Sequence, residues 1–248
     1  MMLRTYAGAD ALRSGAPREP ICRWDDSPCP LCDSTQADVV SEACDGRRPD
    51  GPIFAVVRCR RCHLTFTNPR PDAATMGRFR DAASNIAPAK TQLTRLLQAW
   101  LRRVSDLPFP LPALGAARVL DCAPDDAEPL QPTVGGPWSV TVNTRTGADD
   151  DWPEESRFDL MTVRGTLERQ HQPRAWLQRA YRSLVPGGLL CIRCPHADRS
   201  RTLDLPRRLT HFTPATLQSM LTTVGLRTLT VQDHRRSRTF TLTAARGE

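Results

Sequence analysis

Two Cys-x-x-Cys pairs, Cys29-Pro30-Leu31-Cys32 and Cys59-Arg60-Arg61-Cys62, constrain this chain more than any other feature. Each sets two thiols on one tight turn. Two such turns brought together offer four thiolates at the corners of a tetrahedron, the arrangement that zinc takes in structural sites. With Cys29, Cys32, Cys59 and Cys62 as ligands no position remains for water, so the implied zinc is structural and not catalytic. His63 and Cys44 are spare donors beside a complete set. Between the pairs Ile53 to Val57 reads as a strand, with Phe54 and Phe66 as packing groups, which predicts a zinc ribbon over 27–71. The nine cysteines sit in a chain of 248 residues, too large to need disulfide staples, so the other five are expected to be reduced. Cys191 and Cys194 also spell Cys-x-x-Cys, but on an apolar strand residues three apart face opposite ways. They are predicted to share neither a metal nor a disulfide.

The length leaves room for one substantial α/β domain beside the ribbon. No run approaches the roughly 20 apolar residues of a membrane span, and the first 20 residues lack an apolar stretch of the secretory kind. The expectation is a cytoplasmic protein with no membrane partner. Net charge is +7, carried almost wholly by arginine, because Lys90 is the only lysine. Between Asp121 and Asp159 there are ten acids against Arg145 and Arg157, a local balance of −8 that leaves +15 elsewhere. Such a basic remainder admits nucleic acid as a partner, although scattered solvated arginines account for it as well.

Along the chain, residues 1–26 show no periodicity and read as a flexible arm. Asn68-Pro69-Arg70-Pro71 is a stiff exit from the ribbon, since each proline fixes φ and disfavours helix before it. Residues 72–112 read as a helical linker, with Asp72 as an N-cap and Leu93, Leu96, Leu97, Trp100, Leu101 and Val104 on one helical stripe. Residues 113–248 then alternate strand and helix: strands at 117–121, 138–142, 158–163 and 189–193, with a helix from Pro173 to Leu184. That order predicts a doubly wound, Rossmann-like parallel sheet with ligands at the carboxyl ends of its strands. A further helix starts at Thr213-Pro214, buries Leu217, Met220, Leu221 and Val224, and ends at Gly225. Two last strands follow at 226–232 and 239–243.

These segments together resemble the class I S-adenosylmethionine-dependent methyltransferases, in the subgroup with an N-terminal zinc ribbon. Cys59 to Phe66 with Asn68-Pro69-Arg70-Pro71 resembles the ribbon's second knuckle and exit, and Phe158-Asp159-Leu160 the strand whose tip faces the cofactor. Leu167-Glu168 is similar to the start of a Leu-Glu-His element, Val185-Pro186-Gly187-Gly188 to a loop-and-strand signature of the fold, and His211-Phe212-Thr213-Pro214 to a late segment of the subgroup. The resemblance implies a Rossmann-like methyltransferase domain behind the ribbon and S-adenosylmethionine as cofactor.

The sequence departs from the family where the cofactor is held. The first strand should end in an acid and a Gly-x-Gly-x-Gly turn, whose bare backbone admits the cofactor at a helix N-terminus. Here Asp121 is followed by Ala123, Asp125 and Ala127 at the glycine positions, with Pro124 and Pro129 interrupting any helix. The second strand offers Asn143 in place of a carboxylate, and too few residues separate Asn143 from Phe158 for the helix and strand that form the adenine wall. An acidic loop at 149–155 is all that fits. Arg169 and Arg208 stand where the subgroup carries histidines, leaving His171 and His211 as the acid/base candidates. Asp121, Ala123 and Asn143 are thus degenerate cofactor positions, and S-adenosylmethionine is predicted to bind weakly or not at all. The pattern points to a non-catalytic, pseudo-methyltransferase binding or scaffolding subunit with a protein partner. One alternative is an active enzyme with a divergent pocket acting on a small molecule or sugar. Another is a nucleic-acid binder using Arg58, Arg60 and Arg61 of the ribbon.

Overall fold

The computed structural model describes residues 23–45, 48–84, 118–123, 139–143, 152, 157–199 and 203–247. The stripe expected from Thr91 to Val104, the positions Asp125 and Asp126, and all of the 149–155 loop except Trp152 lie outside these residues.

The cysteine-bearing region is a four-stranded antiparallel sheet. Strands β2 (Ala37–Asp45) and β3 (Arg48–Cys59) form a long hairpin, and β4 (Thr65–Thr67) pairs with the other edge of β3. The expected strand at Ile53–Val57 is therefore the centre of a longer one, and the hairpin partner β2 is an addition. Two short strands, β1 (Trp24–Asp25) and β5 (Arg70–Pro71), pair beside it. Helix α1 (Ala73–Ser84) follows, and its cap is as anticipated: Asp72 Oδ1 accepts from the Thr75 N–H at 2.7 Å. Thr75, Met76 and Phe79 face inward from α1 at helical spacing.

The second sheet has six strands, in the order 226–234, 239–246, 184–195, 158–164, 118–122 and 139–143. Strands β7 (Ser139–Asn143), β6 (Arg118–Cys122), β8 (Phe158–Arg164) and β9 (Leu184–Pro195) are parallel, as the strand–helix alternation requires. The last two, β11 (Leu226–His234) and β12 (Thr239–Arg246), run antiparallel and complete the edge. Among the described residues no strand lies beyond β7. Helix α2 (Pro173–Ser183) connects β8 to β9 and buries Pro173, Trp176, Leu177, Ala180 and Ser183. Helix α3 (Pro214–Thr223) opens with a capping box between Thr213 and Thr216 and closes at Gly225, whose φ of +89° suits glycine.

The Val185–Gly188 stretch is drawn into β9, at an irregularity that lets Leu189 pair with Leu160 while Leu184 pairs with Phe158. Glycine is required at 188. A Cβ there would lie 2.8 Å from the Val185 carbonyl oxygen and 3.1 Å from that of Phe158, and backbone cannot yield.

The two sheets meet through a strand from far along the chain. β10 (Thr210–His211) adds to β4, with Thr210 opposite Phe66 and His211 opposite Thr65. One apolar core runs through both: Leu31, Val57, Leu64 and Phe66 belong to the same packed cluster as Leu120, Met161, Leu177, Phe212 and Phe240. A smaller core holds Phe54, Val56, Met76, Phe79, Leu205 and Leu209, with Phe54 and Phe79 in edge contact at 5.9 Å. Trp152 is an anchor that sequence pattern did not reveal. It is buried, its Nε1 donates to Ser183 Oγ at 2.8 Å, and its ring meets Trp176 edge-on at 5.4 Å.

Candidate functional site

The two cysteine turns are built alike. Cys29 N–H donates to the Ser34 carbonyl and Cys59 N–H to that of Leu64, both at 2.9 Å. The residue after each pair, Asp33 and His63, adopts a left-handed conformation at φ 59° and 61° and donates its N–H back to the carbonyl of Cys29 or Cys59. His63 thus turns the chain and is exposed. The two turns present all four Sγ atoms within 4.8 Å of one another, with Cys29–Cys62 at 3.4 Å and Cys32–Cys59 at 3.5 Å. Tetrahedral zinc at about 2.3 Å from each sulfur sets neighbouring sulfurs about 3.8 Å apart, so the four thiols fit the ion closely. Burial pushes the Cys29 thiol up and that of Cys62 up to about 11. At Cys59 burial is outweighed by the Cys62 and Arg61 N–H groups, and the thiol is lowered to about 7. Cys44 lies outside the cluster. Of the ribbon arginines, Arg60 pairs with Asp38, while Arg58 and Arg61 are exposed.

At the carboxyl ends of the parallel strands stands Asp121, which is fully buried. Parallel register puts Thr162 of β8 opposite it, and the Thr162 hydroxyl donates to Asp121 Oδ1 at 2.6 Å. Arg164, two residues further along β8, closes on the same carboxylate, with Nε 3.2 Å from Oδ1 and Nη2 2.5 Å from Oδ2. Both carboxylate oxygens are therefore engaged within the sheet. Ala123 follows and is buried, and Asn143 ends β7 in register with Cys122. Thr162 and Arg164 escaped sequence reading. The signal was there in principle: an acid ending one apolar strand and an arginine ending the next.

Beyond β8 a single 3-10 turn, Leu167–Arg169, carries Glu168 into a cleft with Cys194 of β9 and with Arg208 and His211. Glu168 is buried, its Oε2 lies 3.8 Å from Cys194 Sγ, and its Oε1 is 4.0 Å from Arg208 Nε. Burial pushes its carboxyl above the ordinary range, against the pull of the Arg208 charge. His211 Nε2 faces Thr67 Oγ1 at 3.4 Å, and burial, then the Arg208 charge, lowers the imidazole to about 4. His171, the other acid/base candidate, lies elsewhere: its Nε2 donates to the Pro71 carbonyl at 2.9 Å, and its own carbonyl accepts from Arg70. Arg169 and Arg208 both reach Asp204, at 3.8 and 3.9 Å. Beside them Arg207 forms a buried, two-pronged pair with Asp45 at the end of β2, both contacts at 3.0 Å. Cys191 is half-buried, and Cys194 is buried on the Glu168 side of β9.

Residues 116–231 match the family model described as a methyltransferase domain. The six-stranded sheet and its helices are thus a mixed α/β, Rossmann-like, methyltransferase-like domain. No curated protein matches the chain. Solved structures similar to it include the Burkholderia thailandensis 1,6-didemethyltoxoflavin-N1-methyltransferase with bound 1,6-didemethyltoxoflavin and S-adenosylhomocysteine. It is 16% identical over 76% of this chain and 98% of its own, with a TM-score of 0.46. S-adenosylmethionine-dependent methyltransferases from Mesorhizobium loti and Methanosarcina mazei are each 14% identical. They cover 55% and 54% of this chain and 94% of their own, with TM-scores of 0.41 and 0.38. Among the described residues no helix is long and apolar enough to cross a membrane.

Proposed function

We propose that this methyltransferase-like protein carries one structural zinc ion on Cys29, Cys32, Cys59 and Cys62 and serves as a non-catalytic binding or scaffolding subunit for a protein partner. The observation that carries the non-catalytic part is the closure of Asp121. A carboxylate at the tip of the first strand serves a cofactor through its acceptor sites, and here Thr162 and Arg164 donate three hydrogen bonds across both oxygens, taking three of its roughly four lone-pair sites. Ala123, two residues on, is buried and adds a methyl group where the family's loop has bare backbone. The degenerate positions Asp121, Ala123 and Asn143 therefore give S-adenosylmethionine little to hold. Calorimetry with the purified chain at millimolar S-adenosylmethionine tests this: weak or absent binding is the expected result, and a low-micromolar dissociation constant overturns it.

A second reading is an active methyltransferase with a divergent pocket, acting on a small molecule or sugar. It is favoured by the cleft itself, which keeps the buried carboxyl of Glu168 at the strand ends where reacting groups collect in such folds. The same calorimetry separates the two, since only the second requires the cofactor.

A further inference from the structure

The buried lining of the cleft beside Glu168 mixes the Glu168 carboxyl and the Thr210 hydroxyl with Cys194 and Phe212, and Pro195, Ala197 and Leu203 are partly exposed and apolar. Two donors on this cleft are left unused. Arg208 Nε and Thr210 Oγ1 are both shielded from solvent and neither makes a hydrogen bond. Buried donors are rarely left so, because each forfeits the hydrogen bond it had in water.

The spacing identifies what satisfies them. Glu168 Oε1 and Arg208 Nε stand 4.0 Å apart, too far to bond each other well. One oxygen atom at ordinary hydrogen-bond length from both subtends about 90° between them, an acceptable angle for a hydroxyl. A hydroxyl group has one hydrogen to give and two lone pairs to fill. The cleft offers one carboxylate oxygen to accept that hydrogen and the Arg208 Nε–H for one lone pair, and Thr210 lines the same cleft with an unpartnered hydroxyl. A carbonyl oxygen has no hydrogen for Glu168, and an ammonium group has no lone pair for Arg208. The enclosed space admits little more than one oxygen-sized group, so any larger body has to lie over the apolar rim.

We propose that this cleft binds a small molecule that inserts a hydroxyl group between Glu168 and Arg208 and rests an apolar body, such as a phenol ring, against Leu203, Pro195 and Ala197. This goes beyond the scaffolding reading and does not depend on it, because such binding needs neither cofactor nor metal chemistry. Burial that raises the Glu168 carboxyl also makes it the stronger acceptor once ionised.

Phenol is a suitable probe, with toluene as the isostere in which a methyl group replaces the hydroxyl. Both are titrated by ligand-observed NMR into the full chain purified with its metal. Phenol is expected to bind at least about tenfold more tightly than toluene, and about tenfold more tightly to the wild type than to Glu168→Gln. Thr210→Val removes an unpartnered hydroxyl from the interior, so it should fold, and it should weaken phenol about threefold while leaving toluene unchanged. Equal affinity for phenol and toluene, or no phenol binding at millimolar concentration, overturns the proposal and leaves the gap to water alone. If Glu168→Gln does not unfold cooperatively, the wild-type comparison and Thr210→Val decide.

Discussion

Breaking the Asp45–Arg207 pair should cost far more than a surface ion pair does. Both side chains are almost wholly buried, at 1% and 3% exposure, and they meet in two parallel contacts at 3.0 Å. Asp45→Asn keeps the shape but strands a guanidinium in the interior, and removal of one partner from such a pair typically costs about 3–5 kcal/mol. Asp204 softens the loss, since its carboxylate lies 3.7 Å from Arg207 Nη1, which places the expectation near the lower end, about 3 kcal/mol. Arg207→Met alone should cost a similar amount by taking the guanidinium away from the buried Asp45 carboxylate. The double variant should cost clearly less than the two together, with a coupling of about 2 kcal/mol, because no unpaired charge then remains buried. Urea unfolding of the metal-loaded chain gives all three values. Hydrogen exchange adds a local readout: the Leu209 N–H, which donates to the Glu168 carbonyl, and the Thr67 N–H, which donates to that of Leu209, should lose protection in Asp45→Asn. A loss under about 1 kcal/mol, or additive single and double effects, would refute the assignment of this pair as the clasp between β2 and the 204–209 segment.

Other consequences are open to measurement. Metal analysis should find one zinc per chain, and Cys59→Ser should lose both the metal and the cooperative unfolding transition; unchanged stability in that variant contradicts a structural ion. Gly188→Ala should destabilise by about 2–3 kcal/mol, since its methyl group meets the Val185 and Phe158 carbonyls, and a neutral outcome by thermal melting would show the β9 irregularity to be pliable. His211 titrates near 6.5 when unfolded and near 4 when folded, so the unfolded chain takes up the proton first as pH falls. Stability attributable to it should decline between those two values by up to about 3 kcal/mol and no further below, and His211→Gln should flatten that part of the profile.

How much of this was legible beforehand depended on range. Spacing along the chain announced the cysteine turns, because four thiols in two Cys-x-x-Cys pairs leave a protein of this size little else to build. The same holds for the parallel strands, where apolar runs alternate with amphipathic helices, and for the α3 cap, where Thr213-Pro214 carries its own geometry. Hidden from sequence were the contacts set by register and return. That Asp121 faces Thr162 and Arg164 follows from which residues stand opposite in neighbouring strands. That Asp45 meets Arg207 follows from a return of 162 positions along the chain. The histidine candidates show the same limit: His211 reaches the cleft and His171 does not, though both looked equally free as residues in a string.

The return of the chain also decides how the cysteine centre bears on the rest of the molecule. β4 has only three residues, too few to hold itself against β3, and its outer edge is filled by β10 from the far end of the methyltransferase-like fold. On the near side the Thr67 N–H holds Leu209, and on the far side Leu209 holds the 3-10 turn that carries Glu168. Arg174 adds a second tie by pairing with Asp33 immediately after the first cysteine turn. A metal ion that fixes β3 and β4 therefore also fixes the position of Arg208, Thr210 and His211, because those residues have no helix of their own to stand on. Folding free energy that an ion at the proposed Cys29, Cys32, Cys59 and Cys62 site would supply is in this way spread to the cleft wall. An ion held there would do no chemistry, yet through β3, β4 and β10 it would brace the wall of the cleft beside Glu168.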